Sequence, residues 1–93
     1  MKIINDPKDI NCVEIILKNV YDKETIIKLN LDKVICIYYF EISGDECIEV
    51  TDNKGVNWYD SADNRCENYF EDSNLVYANK KFYYKGEKLW NFG

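Results

Sequence analysis

The sequence predicts a mainly β protein of the α+β class. The expected architecture is an antiparallel meander of about eight short strands, forming a small barrel or two-sheet roll, with one short helix near residues 61–71. Three observations predict it. Ile, Val, Tyr, Phe, Trp and Thr, which suit a pleated half-buried surface, supply 33 of the 93 positions. Good helix formers are scarce, with two Ala, five Leu and no Gln. Short alternating stretches are separated at close intervals by Asn, Asp, Gly and Lys clusters of the kind that close hairpins.

Residues 1–10 are mixed polar, with Ile3, Ile4 and Ile10 apolar, and Asn5-Asp6-Pro7 is a turn signal that sets them off. Residues 12–20 read as a strand, with Val13, Ile15 and Leu17 on one face and Cys12, Glu14, Ile16 and Lys18 on the other. After a polar connection, residues 25–31 place Ile27, Leu29 and Leu31 inward, and Asp32-Lys33 makes a short break. Residues 34–42 are the most apolar run. Val34, Cys36, Tyr38, Phe40 and Ile42 take one face and Ile35, Ile37 and Tyr39 the other, as in a central strand or one that bends between sheets.

Ser43-Gly44-Asp45 closes a hairpin into a strand at 46–51, and Asp52-Asn53-Lys54-Gly55 turns into another at 56–59. The period then changes. Ala62, Cys66, Tyr69 and Phe70 recur at helical spacing, with Asp60 or Ser61 as the cap and Asp63 in the first turn. Strands at 74–78, 81–85 and 87–92 follow, joined by Asn79-Lys80 and Lys85-Gly86. The whole length, 1–93, is a single domain with a modest core.

Several chemistries are poorly served by this composition. There is no His, so the usual proton shuttle near neutral pH is missing, and a Cys or Ser nucleophile lacks its common base. The four glycines stand apart and build no phosphate loop. The four cysteines, Cys12, Cys36, Cys47 and Cys66, include no close pair, so no zinc site is expected. Cys36 and Cys66 fall on apolar faces as reduced core residues, whereas Cys12 and Cys47 fall on more polar faces and are expected to be partly exposed. No calcium-loop pattern occurs. The expectation is a protein that is not an enzyme and carries no cofactor or metal. With no apolar stretch near ~18 residues and a mixed polar beginning, the expected location is the cytoplasm.

Charge is the most informative feature. Residues 1–40 balance, 41–72 carry ten acids against two bases, and 73–93 carry one acid against four lysines, giving −5 overall. The middle block is therefore expected to form one negative surface. Such a surface selects and accelerates encounter with a basic partner, and nucleic-acid-handling proteins present basic grooves. The contacts expected are Asp45, Glu46, Glu49, Asp63, Glu67 and Glu71, with Trp58 or Tyr59 as the aromatic anchor.

The function this implies is an acidic inhibitor that occludes a basic nuclease or other nucleic-acid-binding protein. A phage or mobile-element counter-defence protein of the anti-CRISPR kind, or an immunity protein against a nuclease toxin, has this character. The abundance of Lys, Asn, Ile and Tyr, all with AT-rich codons, fits an AT-rich genome. The alternatives are a single-stranded nucleic-acid binder using Lys80, Lys81, Lys85, Lys88 and Tyr83, or a homodimer or larger homo-oligomer built by pairing of strand edges.

Overall fold

The computed structural model describes residues 1–61 and 73–83. These form eight strands: β1 (Lys2–Asp6), β2 (Asp9–Lys18), β3 (Glu24–Asn30), β4 (Val34–Ile42), β5 (Asp45–Asp52), β6 (Gly55–Asp60), β7 (Asn74–Ala78) and β8 (Lys81–Phe82). A single 3₁₀ turn, Leu31–Lys33, links β3 to β4 where the sequence breaks at Asp32-Lys33. The expected helix, apart from Ser61, and the expected strand at 87–92 lie outside the described residues.

The strands make two antiparallel sheets, of three strands in the order β1-β2-β3 and of five in the order β6-β5-β4-β7-β8. Neither sheet closes on itself among the described residues. Val13, Ile15 and Leu17 do share the buried face of β2, because a strand points alternate side chains to opposite sides. Ile3 and Ile27 join them from β1 and β3, in register opposite Ile15. From the second sheet, Ile37, Ile48, Val50, Val76 and Tyr77 face them, so one apolar core lies between the layers.

Three features depart from the sequence reading. The first segment is a full strand: the Asn5-Asp6-Pro7 signal is the end of β1 and the start of its hairpin, and Asp6 accepts the Lys8 N–H at 2.8 Å. Strand order is not a simple meander, since β7 pairs with β4 and not with β6. Pairing on both edges removes the most apolar strand from the rim of the sheet, where its open N–H and C=O groups would invite aggregation. Finally, β4 does not alternate regularly. Register shifts lie between Val34 and Cys36 against β5, and between Ile37 and Tyr38 against β7. Val34 consequently packs on the same core as Ile37 and Tyr39.

Gly44, in the turn between β4 and β5, has φ +87°, and a Cβ built there would lie 2.7 Å from Val20 Cγ1. Only glycine lets this turn pass beneath the β2–β3 loop. Ile15 is fully buried while Ile26, one register pair away on the opposite face, is exposed. Ile15→Ala should lower unfolding free energy by about 2–5 kcal/mol in urea denaturation, and Ile26→Ala by less than about 1 kcal/mol.

Candidate functional site

The β5–β6 hairpin carries the centre of the acidic block. Its turn is set by Asp52, whose Oδ1 accepts the N–H groups of Lys54 at 2.8 Å and Gly55 at 3.1 Å. Gly55 supplies the positive φ, +137°, that leads into β6. With Ile48 and Val50 facing the core, Cys47, Glu49 and Thr51 face outward. Register places Glu49 between Tyr38 of β4 and Trp58 of β6, and Thr51 beside Val56. Trp58 is 48% exposed and Val56 is also exposed, so a large indole and an aliphatic residue stand in solvent beside a carboxylate.

The other acids expected here do different work. Asp45 is only 7% exposed, and its Oδ1 accepts the Val20 N–H at 3.0 Å. Glu46 Oε1 accepts the Lys18 N–H at 2.7 Å, and its Oε2 accepts from the Tyr39 hydroxyl at 3.0 Å and pairs with the Met1 ammonium. Asp45 therefore ties β5 to the β2–β3 loop, and Glu46 ties it to the end of β2 and to the residue that precedes β1, so both carboxylates are engaged inside the protein. Tyr59, the alternative anchor, packs against the core, which leaves Trp58 as the outward aromatic. Asp63, Glu67 and Glu71 lie outside the described residues. Of the five expected contacts among the described residues, Glu49 and Trp58 are thus the two that meet on an outward face.

Two local arrangements were missed by sequence reasoning. Asn19 organises the β2–β3 loop: its Oδ1 accepts the N–H groups of Tyr21 at 2.9 Å and Lys23 at 3.0 Å, and its Nδ2 donates to the Ser61 carbonyl at 3.3 Å. The available signal was an Asn at the head of a polar connection, which favours such side-chain-to-backbone turns. Tyr21 is carried on this pinned loop at 88% exposure. Cys47 is the second. It is fully buried with Phe40 in a small cluster on the outer side of the sheet, contrary to the expected partial exposure. Its position among acids along the strand conceals that Phe40 lies directly across from it.

Cys36 and Cys12 are each partly exposed, and Cys66 lies outside the described residues. The Cys12 thiol donates to Asp9 Oδ2 at 3.4 Å, and that bond, with desolvation and the nearby carboxylates, pushes its pKa up and keeps it protonated. Among the described residues, no group of three or more His, Cys, Asp or Glu side chains could hold a metal ion. Nor is any helix among them long and apolar enough to cross a membrane. Comparison of the chain with protein-family models, curated proteins and solved structures finds no match.

The carboxylate ties lead to two expected outcomes. Asp45→Ala leaves the Val20 N–H without its acceptor and should cost about 1–3 kcal/mol in chemical denaturation. Tyr39 is pushed well above the usual tyrosine range, first by burial and then by its hydrogen bond to Glu41 and the charge of Glu46. Because the folded-state pKa is raised, this contribution is whole below the unfolded value of about 10 and is lost as pH climbs beyond it. Tyr39→Phe should therefore lose less stability than wild type between about pH 9 and 11. Tyr77, which burial also pushes up, leaves a residual loss in both proteins.

Proposed function

We propose that the chain is a non-enzymatic protein-binding inhibitor that docks through the outer face of its five-stranded sheet onto the basic surface of a nucleic-acid-handling protein. The observation that carries this reading is the cross-strand pair of Glu49 and half-exposed Trp58, flanked by exposed Val56. A tryptophan left half in water keeps part of its large apolar area for burial on binding, and Trp is over-represented where a few residues carry most of a binding energy. A carboxylate at its side gives preference for a lysine- or arginine-bearing partner and speeds encounter at low salt. Within residues 34–61 the acids number six and Lys54 is the one base, and this excess of acids in the segment that carries the pair supports a preference for a basic partner. The absence of His from the chain agrees with a binding role. Counter-defence against a host nuclease, or immunity to a nuclease toxin, is the setting in which a protein of this character acts. Work of this kind is done in the cytoplasm.

A second reading draws on Lys81 and Tyr83, both exposed and two residues apart at the β7–β8 hairpin, as a stacking surface for single-stranded nucleic acid. The net charge of −5 opposes it. The test uses tagged wild-type protein, Trp58→Ala and Glu49→Lys as baits in a nuclease-treated lysate of the cells that encode the chain. Basic nucleic-acid-binding proteins should be retained by wild type and reduced about tenfold or more with Trp58→Ala, the size expected of an anchor residue. With the retained protein purified, Glu49→Lys should slow association more at ~50 mM than at ~500 mM salt. Equal recovery by all three baits overturns the assignment of this face. Micromolar binding of single-stranded DNA or RNA in an anisotropy titration, with a steep salt slope, would transfer the function to the second reading.

A further inference from the structure

The end of the sandwich opposite the Asp45 and Glu46 ties is built differently. There the next inward position of β1 after Ile3 is Asn5, in register with buried Val13, so an amide occupies a position on the face that otherwise presents apolar side chains to the core. Its Oδ1 is buried and has no hydrogen-bond partner. A cleft of about 500 Å³ opens at this point, within the size range of small-ligand sites. It lies between the β1–β2 hairpin, the 3₁₀ turn and the β7–β8 hairpin.

The walls of the cleft combine three kinds of surface. Tyr77 and Phe82 form an aromatic floor, with ring centroids 4.8 Å apart and planes tilted by 56°. Ile10 stands at its rim, 78% exposed, an aliphatic side chain that folding leaves in water. Asp32 and Lys80 bring opposite charges to the lining, and neither has an ion-pair partner among the described residues. Lys80 is held there by a two-residue turn in which both Asn79 (φ +52°) and Lys80 (φ +63°) take left-handed backbone conformations. A non-glycine residue adopts this conformation at a cost, and here the turn places Lys80 on the lining of the cleft.

We infer that this cleft binds a short zwitterionic peptide of dipeptide size with an apolar or aromatic side chain. Each feature of the cleft has a counterpart in such a ligand. The peptide's ammonium meets Asp32 and its carboxylate meets Lys80. Its internal N–H supplies the donor that the buried Asn5 oxygen lacks, and its side chain lies on the Tyr77–Phe82 rings. A single amino acid has both charges but no peptide N–H, and leaves much of the volume empty. This binding is separate from the outer sheet face and stands or falls independently of it.

The test is a ¹H–¹⁵N correlation titration of the full chain with glycyl-phenylalanine at millimolar concentration, repeated with its N-acetyl and C-amide forms. The amides of Asn5, Asn11, Asp32 and Lys80 should shift together and saturate. Each capped form should bind about fivefold more weakly or worse. Asp32→Asn should abolish the preference for the free amine, and Lys80→Gln the preference for the free carboxylate; both are exposed positions whose substitution spares the core. Asn5→Leu, which removes the orphaned acceptor, should abolish saturable shifts while retaining or raising thermal stability. No saturable shift with the free dipeptide overturns the proposal, because the Asn5 oxygen is then served by water alone. Equal binding of free and capped forms overturns it as well.

Discussion

Two adjacent carboxylates at the start of β5 hold this fold together at one end. Asp45 accepts from the backbone of Val20, and Glu46 from the backbone of Lys18, the hydroxyl of Tyr39 and the Met1 ammonium. Through them the five-stranded sheet grips the end of β2, the loop that follows it and the residue that leads into β1. Hydrophobic contact between the layers is non-directional and would permit the sheets to slide. Charge-assisted bonds to fixed N–H groups do not, since each demands a donor within about 3 Å and a narrow range of angles. These bonds fix how the two layers meet at this end.

The same chemistry explains why net charge is a coarse guide to surface function. Asp6, Asp9 and Asp52 each accept the N–H two residues onward, as do Asn19 and Asn30. These five Asp and Asn side chains are thus spent on turning the chain. Glu41 accepts from the Tyr39 hydroxyl at 2.7 Å, and that hydroxyl has a single proton to share between Glu41 and Glu46. The acids of the middle block form a mixed population, part internal fastening and part solvent face. Glu49 belongs to the second group because its neighbours in the strand, Ile48 and Val50, are both core residues.

What the sequence revealed and concealed follows from the range of the interactions involved. The alternation of Val13, Ile15 and Leu17 is a local property of one strand, and their burial could be read directly. So could the Asn79-Lys80 hairpin and the centrality of β4, which depend on turn chemistry and on apolar density. The strand character of residues 2–6 could not, since polar neighbours surround Ile3 and only its pairing with Ile15 across the hairpin gives it a face. The bulges in β4 are likewise set by partners distant in sequence, and they shift Val34 from its expected side. For the candidate site, the pair Glu49 and Trp58 was within reach because both lie in one hairpin. The inward engagement of Asp45 and Glu46 depends on contacts 25 and 28 residues away with Val20 and Lys18, which no local pattern records.

The β2–β3 loop is fastened almost wholly through its main chain. Val20, Tyr21 and Lys23 each offer an N–H, and Lys23 also receives the Asn19 N–H on its carbonyl. The acceptor side chains, Asp45 and Asn19, stand outside the tip itself. The identities of the side chains at the tip are therefore nearly interchangeable as far as folding is concerned, apart from the left-handed backbone of Asp22 and the contact of Val20 with Gly44. Such a segment can be rewritten without retuning the scaffold beneath it, much as a fitting on a standard mount can be exchanged, and a grafted recognition sequence placed there would inherit a ready-made shape.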